Sequence, residues 1–139
     1  MDKKIIEDLI VAAKEAMDYA YVPYSKYPVG AALLTTDDEI ITGCNIENAS
    51  YGLTNCAERT ALFKSVSQGK KDFKAIAVIC KGEILASPCG ACRQVIAEFL
   101  EQQAPVILAN ESGEYQLTSV RELLPGAFTP KSLSGVKHV

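Results

Sequence analysis

Tryptophan is absent from this 139-residue chain, and histidine occurs once, as the penultimate residue His138. A histidine-based triad or a histidine metal ligand inside the fold is therefore not expected, and proton transfer falls to a carboxylate. No apolar run approaches the roughly 20 residues of a membrane-spanning helix; stretches such as Ala75 through Cys80 are of strand length. A basic excess is missing too, with a net charge of −3 and a pI near 5.2. Binding to a nucleic acid polymer leans on a cationic surface, so the expected partner is a small, neutral molecule. Lys70, Lys71 and Lys74 form the only local cationic cluster and read as a solvated helix end. The five cysteines do not make an even set, and Met1-Asp2-Lys3-Lys4 leads straight into amphipathic sequence. No signal peptide is expected, and the thiols point to a reducing, cytoplasmic setting rather than a secreted disulfide framework.

What is present reads as one α/β domain. Ile6, Leu9, Ile10, Ala13, Ala16, Met17 and Ala20 recur at spacings of three and four, which predicts an amphipathic first helix. Strands are expected over 29–35 and 40–44, joined at Asp37-Asp38, then a loop over 45–54 and a second helix over 55–68 stopped by Gly69. Residues 73–80 read as a buried strand. Ser87-Pro88 is expected to open a third helix, with Pro88 at its first helical position. Further strands fall at 105–109 and 115–117, with a brief helix over 119–124; the tail past residue 128 has no periodicity and is expected to be loosely held. Helices alternating with short buried strands indicate a layered sheet.

The chemistry lies in Cys56-Ala57-Glu58 and Pro88-Cys89-Gly90-Ala91-Cys92. Cys89 and Cys92, three apart, share one face of a helix's opening turn, and Cys56 occupies the corresponding turn of the second helix. Helix starts favour thiolates. If these two starts converge, three sulfurs meet at one point, each about 2.3 Å from a zinc ion. Zinc with four protein ligands is usually structural, while zinc with three keeps a position open for chemistry. Other readings stand beside this one. Cys89-Gly90-Ala91-Cys92 has the spacing of a thioredoxin-like redox pair. Cys44 or Cys80 could complete a closed, four-cysteine structural site. Asn55-x-x-Glu58 has the spacing of a capping box.

Cys56-Ala57-Glu58-Arg59, followed by Pro88-Cys89-Gly90-Ala91-Cys92-Arg93-Gln94-Val95, resembles the zinc-dependent cytidine deaminase family in its small three-cysteine class. Zinc deaminases as a class carry such a cysteine-and-glutamate signature; here Cys56 stands where other members have histidine. The likeness runs over about 5–128 and includes Pro23-Tyr24-Ser25-Lys26, Gly43-Cys44-Asn45-Ile46-Glu47-Asn48 and Leu123-Leu124-Pro125-Gly126-Ala127-Phe128. It implies a three-layer α/β/α sandwich around a five-stranded mixed sheet, and one zinc per chain held by Cys56, Cys89 and Cys92. It implies hydrolysis of cytidine and 2′-deoxycytidine with release of ammonia, in pyrimidine nucleoside salvage, with Glu58 as the single proton carrier. A deaminase of a modified or antibiotic cytosine nucleoside is the nearest rival. A homotetramer is implied as well, with Phe128 reaching a neighbour's pocket.

Three thiolates outweigh the charge of a divalent ion, so something must draw charge from sulfur. Arg59 is the first candidate and Arg93 the second. By the same resemblance Asn45 and Glu47 bind ribose hydroxyls, Glu47 as a buried carboxylate. Tyr27 stands where the family more often has a phenylalanine against the base, and its extra hydroxyl needs a partner if buried. Main-chain groups near Ala57 and Ser87 hold the pyrimidine edge, and Tyr51 is a weaker pocket candidate.

Overall fold

The structure, a computed structural model, describes residues 1–136; the sole histidine, His138, lies outside them. Helix α1, Lys3–Met17, begins where the Asp2 side chain accepts a hydrogen bond from the Lys4 amide at 2.9 Å. Strands β1, Val29–Thr35, and β2, Ile40–Cys44, form a hairpin, and helix α2, Ala57–Ser67, follows. Then come β3, Phe73–Cys80; α3, Gly90–Phe99; β4, Pro105–Asn110; β5, Tyr115–Ser119; and the short helices α4, Val120–Leu123, and α5, Pro130–Val136.

The five strands make one mixed sheet in the order β2-β1-β3-β4-β5. Only β3 and β4 run parallel, linked through α3; the other neighbours are antiparallel. The alternation of a strand sorts β3 between two cores. Ala75, Ala77 and Ile79 pack with Ile6, Leu9, Ala13 and Met17 of α1 on one face. Ile76, Val78 and Cys80 pack with Ala57, Ala61, Leu62, Ile96 and Ala97 of α2 and α3 on the other. The expected α/β/α sandwich is therefore observed, and both helices that carry site residues lie on one side of the sheet.

Two glycines allow the layers to approach. A Cβ on Gly30 would stand 2.0 Å from the Ala13 carbonyl oxygen, and one on Gly43 would stand 2.5 Å from the Ala61 nitrogen and 2.7 Å from the Ala57 oxygen. Backbone cannot yield as a side chain does. Gly43→Ala is expected to lower stability by about 1–3 kcal/mol through overpacking, read as an earlier urea midpoint, and it pushes on the helix that begins at Cys56. An unchanged midpoint would show that α2 can slide away freely.

The expected bounds of β1, β2 and β3 match those observed. Others do not. Pro88 lies before the cap residue of α3 rather than at its first helical position, because Cys89 takes the cap. The tail past residue 128, read as aperiodic, includes helix α5. Lys70 and Lys74 pair with Glu39 and Asp38 across the hairpin turn, so that cationic cluster is an anchor for the turn.

Candidate active site

Cys56 and Cys89 are the N-cap residues of α2 and α3, and Cys92 is the third helical residue of α3. Each helix start is tied down by the backbone before it. Ile46 and Asn55 exchange two main-chain hydrogen bonds of 2.9 Å, which fix the entry to α2. The Ala86 amide donates to the Ala109 oxygen at 3.1 Å, which holds the approach to α3 against β4. Because both helices pack on the same sheet face, their starts converge. The Cys56 and Cys89 sulfurs are 4.0 Å apart, those of Cys89 and Cys92 are 3.4 Å apart, and all three lie within 4.8 Å of one another.

These spacings fit zinc. Three sulfurs at tetrahedral positions about 2.3 Å from an ion stand about 3.8 Å from each other. They do not fit a disulfide, whose sulfurs would be about 2.05 Å apart; all five cysteines are free. Among the described residues no fourth cysteine, histidine or carboxylate joins the cluster. Cys80 instead donates its S–H to the Ile84 oxygen at 3.1 Å, and burial pushes the Cys44 thiol up, opposed by the nearby charge of Lys64.

The thiols act strongly on one another. Hydrogen bonding from Cys92 is the largest influence on the Cys56 thiol and, with the Arg59 guanidinium, pulls it down to about 5 against the cost of burial. The Cys92 thiol is driven upward by the same hydrogen bond, by burial and by the charge of Glu58. One negative charge is accommodated readily; a divalent cation is what lets the remaining sulfurs ionise. Arg59 donates from Nη2 to the Cys56 sulfur at 3.3 Å, and its Nε is buried with no acceptor among the described residues. It has no salt bridge there, so the guanidinium serves sulfur. Arg93 does not. Its three nitrogens donate to the Pro88 oxygen, the Leu123 oxygen and the Ser87 hydroxyl at 2.8, 2.9 and 3.1 Å, bracing the loop before Cys89.

Glu58 is 4% exposed. Burial pushes its carboxyl up, a hydrogen bond from its own amide opposes this, and the charge of Cys56 adds to the rise. No capping box forms: the Asn55 side-chain amide donates to the Thr60 hydroxyl, which in turn donates to the Cys56 oxygen, both at 3.0 Å. Glu58 lines a cavity of about 210 Å³ whose wall also includes Cys56 and Cys89. A buried carboxylate and two of the three clustered thiols thus face one partly open cavity.

A family model, the cytidine and deoxycytidylate deaminase zinc-binding region, matches residues 3–108. The chain is 58% identical over 129 residues to a cytidine deaminase of Sporosarcina psychrophila, covering 93% of this chain and 95% of that one. The chain belongs to the cytidine and deoxycytidylate deaminase family. A second relative, a cytidine deaminase of Halalkalibacterium halodurans, is 54% identical with 96% and 99% covered. The fold is that of the family too: a crystal structure of cytidine deaminase from Burkholderia pseudomallei superposes with a TM-score of 0.85 at 49% identity, covering 92% of this chain and all of that one.

Within this deaminase fold the remaining residues singled out from sequence fall into three places. Tyr27, Asn45, Ala57 and Ser87 line the same cavity as Glu58. Asn45 also braces the framework, since its side chain accepts from the Val29 amide and donates to the Tyr27 oxygen, both at 2.9 Å. Glu47 and Tyr51 line a neighbouring cavity of about 390 Å³ with Tyr24, Ser25 and Thr54. Glu47 is half-exposed there rather than buried as expected. Its Oε1 accepts from the Tyr24 and Ser25 amides at 3.0 and 3.1 Å, and hydrogen bonds from Ser25 lead the causes that hold its carboxyl low. Phe128 borders neither cavity; the residue is 60% exposed, and its carbonyl accepts from the Gln94 side-chain amide at 2.7 Å.

Sequence reasoning missed Thr54, which borders both cavities, and Val78, Cys80 and Ala86 in the first. The signal for Val78 and Cys80 was their shared parity near the end of β3, where open α/β sheets place ligands.

Proposed function

We propose that this chain catalyses hydrolytic deamination of cytidine, and of 2′-deoxycytidine, to the corresponding uracil nucleoside and ammonia. The observation that carries the reading is the buried Glu58 carboxylate in one cavity with the Cys56 and Cys89 thiols, which with Cys92 would hold one zinc ion. Zinc bound there supplies the Lewis acidity that makes water nucleophilic near neutral pH.

The chain's own groups do the rest. Glu58 takes a proton from the attacking water and passes it to ring N3 as the C4–O bond forms. Glu58 then collects the second water proton and delivers it to the exocyclic amine, the C4–N bond breaks, and ammonia leaves. One carboxylate serves as base and then as acid. Ala57 and Ser87 border the pyrimidine edge, Tyr27 stands against the ring, and Arg59 draws charge from the sulfurs. The sugar extends past Thr54 into the second cavity, where Asn45 and Glu47 meet its hydroxyls and Tyr51 forms a side. Phe128, exposed and lining neither of these two cavities, completes the site of a neighbouring copy in a homotetramer. The enzyme works on free nucleosides in the cytoplasm; among the described residues no helix is long and apolar enough to cross a membrane.

Ultraviolet absorbance of cytidine, lost on mixing with the zinc-loaded protein, tests the activity directly. Free cytosine is expected to react at least tenfold more slowly in kcat/KM, because a site built for hydroxyls leaves its acceptors unmatched without them. Equal rates would remove Glu47 from sugar recognition, and no turnover of either would end the proposal.

A further inference from the structure

Ser87 lines the same cavity as Glu58, yet no main-chain bond holds it there. The Ala86 amide just before it donates to the Ala109 oxygen at 3.1 Å, and the Cys89 oxygen just beyond accepts from the Arg93 amide at 3.0 Å. Between them, Pro88 has no amide to give. Among the described residues, Ser87 and Pro88 make hydrogen bonds to one partner alone, the Arg93 side chain. This stretch of cavity wall, with no ladder or helical bond of its own, is held from outside.

Arg93, one turn into α3, reaches back over the stretch. Its Nε donates to the Pro88 oxygen at 2.8 Å and its Nη2 to the Ser87 hydroxyl at 3.1 Å, so the planar guanidinium spans the Ser87–Pro88 unit. Nη1 donates to the oxygen of Leu123, the last residue of α4, at 2.9 Å. With that third point fixed, the guanidinium does not swing with the loop it holds. The next residue, Gln94, donates to the Phe128 oxygen at 2.7 Å, so α3 is tied to both ends of the segment 123–128. Ser87 lies two residues before Cys89, which borders the same cavity. Its part of the wall is therefore at the thiol end of the site, where the proposed chemistry puts C4 and the exocyclic amine of the ring.

We infer that Arg93 is a positioning residue: its guanidinium fixes the Ser87–Pro88 stretch to α4 and so sets how closely the cavity wall fits the amine end of the pyrimidine. That role toward substrate rests on the deaminase reading, whereas the hold on Ser87 does not. The metal ligands keep their own supports. The Cys89 sulfur accepts from the Cys92 amide at 3.5 Å and the Cys89 oxygen from the Arg93 amide, and neither bond needs the Arg93 side chain. A reactant misplaced by about 1 Å costs on the order of 10²-fold in rate, so a slack wall acts on the chemical step more than on binding.

The test uses the zinc-loaded protein and Arg93→Met. By hydrogen exchange, the Ala86 amide is expected to lose protection while the amides of β3 keep theirs. Unchanged protection at Ala86, or an equal loss in β3, overturns the clamp whether or not cytidine is turned over. In the kinetic arm, kcat for cytidine should fall roughly 10–100-fold, with KM moving less and zinc staying at one per chain. Zinc lost in step with turnover would make Arg93 a support of the metal site and overturn the inference. The preference for cytidine over N4-methylcytidine should narrow by about threefold or more, since one methyl against a fitted wall is worth roughly tenfold or more; a preference equal to that of wild type overturns the fit at the amine. Ser87→Ala should cause a smaller loss of the same kind and add nothing in the Arg93→Met background, because the Ser87 hydroxyl has no other partner among the described residues; an additive loss there counts against the clamp. Arg93→Lys covers the case in which the methionine variant folds poorly. Its single ammonium cannot bridge three acceptors, so it restores only part of the rate, and full activity would show that charge alone suffices. A wild-type protein that leaves cytidine untouched, while Arg93→Met loosens Ala86, sinks the deaminase reading and spares the clamp.

Discussion

Glu58→Gln is expected to lower kcat for cytidine by at least 10²–10⁴-fold, the usual scale for a group that transfers protons, while zinc stays at one ion per chain. Glutamine keeps the volume and one acceptor oxygen of the side chain but cannot take the proton of water. The loss belongs to the chemical step, so KM should change far less than kcat. Stability separates this from a structural role. Glu58 is 4% exposed and sits at the start of α2, where a capping function would show as a lower unfolding midpoint on substitution. With Asn55 bonded instead to Thr60, that function is absent. The glutamine variant, freed from burying an ionisable group, is expected to unfold at the same midpoint or a higher one. Near-normal turnover with zinc in place would remove Glu58 from the mechanism, and a fall in stability without a fall in kcat would return it to the helix end.

The parts of this site that were legible in the sequence are those set by local rules. β1, β2 and β3 carry their bounds in runs of apolar residues closed by turn formers, and the spacing of Cys89 and Cys92 places two sulfurs on one helical face whatever surrounds them. Arg93 shows the limit of such reasoning. It follows Cys92 directly in sequence, yet successive helical residues point about 100° apart, and Arg93 turns to the loop at Pro88 instead of to sulfur. Pro88 shows another: Cys89, whose sulfur accepts from the Cys92 amide, takes the cap position and leaves the proline two places short of the first helical position. The cavity wall required knowledge of which strands are neighbours. Cys80 reads as a buried hydrophobe in sequence, and only the pairing of β1 with β3, which sets it opposite Val29, brings it to the wall of the cavity that Glu58 lines. Helix α5 was missed because Pro130-Lys131-Ser132-Leu133 offers no apolar period. The motif that marked Glu47 carried no information on its surroundings, since the exposure of a loop carboxylate depends on what packs over it.

Cys92→Ala should abolish turnover together with metal content. Of the three sulfurs this one is completely enclosed, at 0% exposed, so a solvent molecule cannot readily take its place. Two ligands cannot hold zinc where three were needed to fix its geometry, and the binding energy lost is also folding energy. Zinc measured by mass spectrometry is expected to fall well below one per chain, turnover to fall with it, and the unfolding midpoint to drop as it does for wild type treated with a chelator. Arg59→Ala provides the graded comparison. The ligands remain, but the donor at 3.3 Å from the Cys56 sulfur is gone, and outer contacts of this kind are worth about 10–100-fold in metal affinity or activity. Zinc retention in a chelator competition should therefore rank wild type above Arg59→Ala and Arg59→Ala above Cys92→Ala. Cys44→Ala, outside the cluster, should match wild type. If Cys92→Ala keeps a full complement of zinc, a ligand other than this sulfur holds the ion, and the three-thiol centre on which the deaminase chemistry depends is wrong.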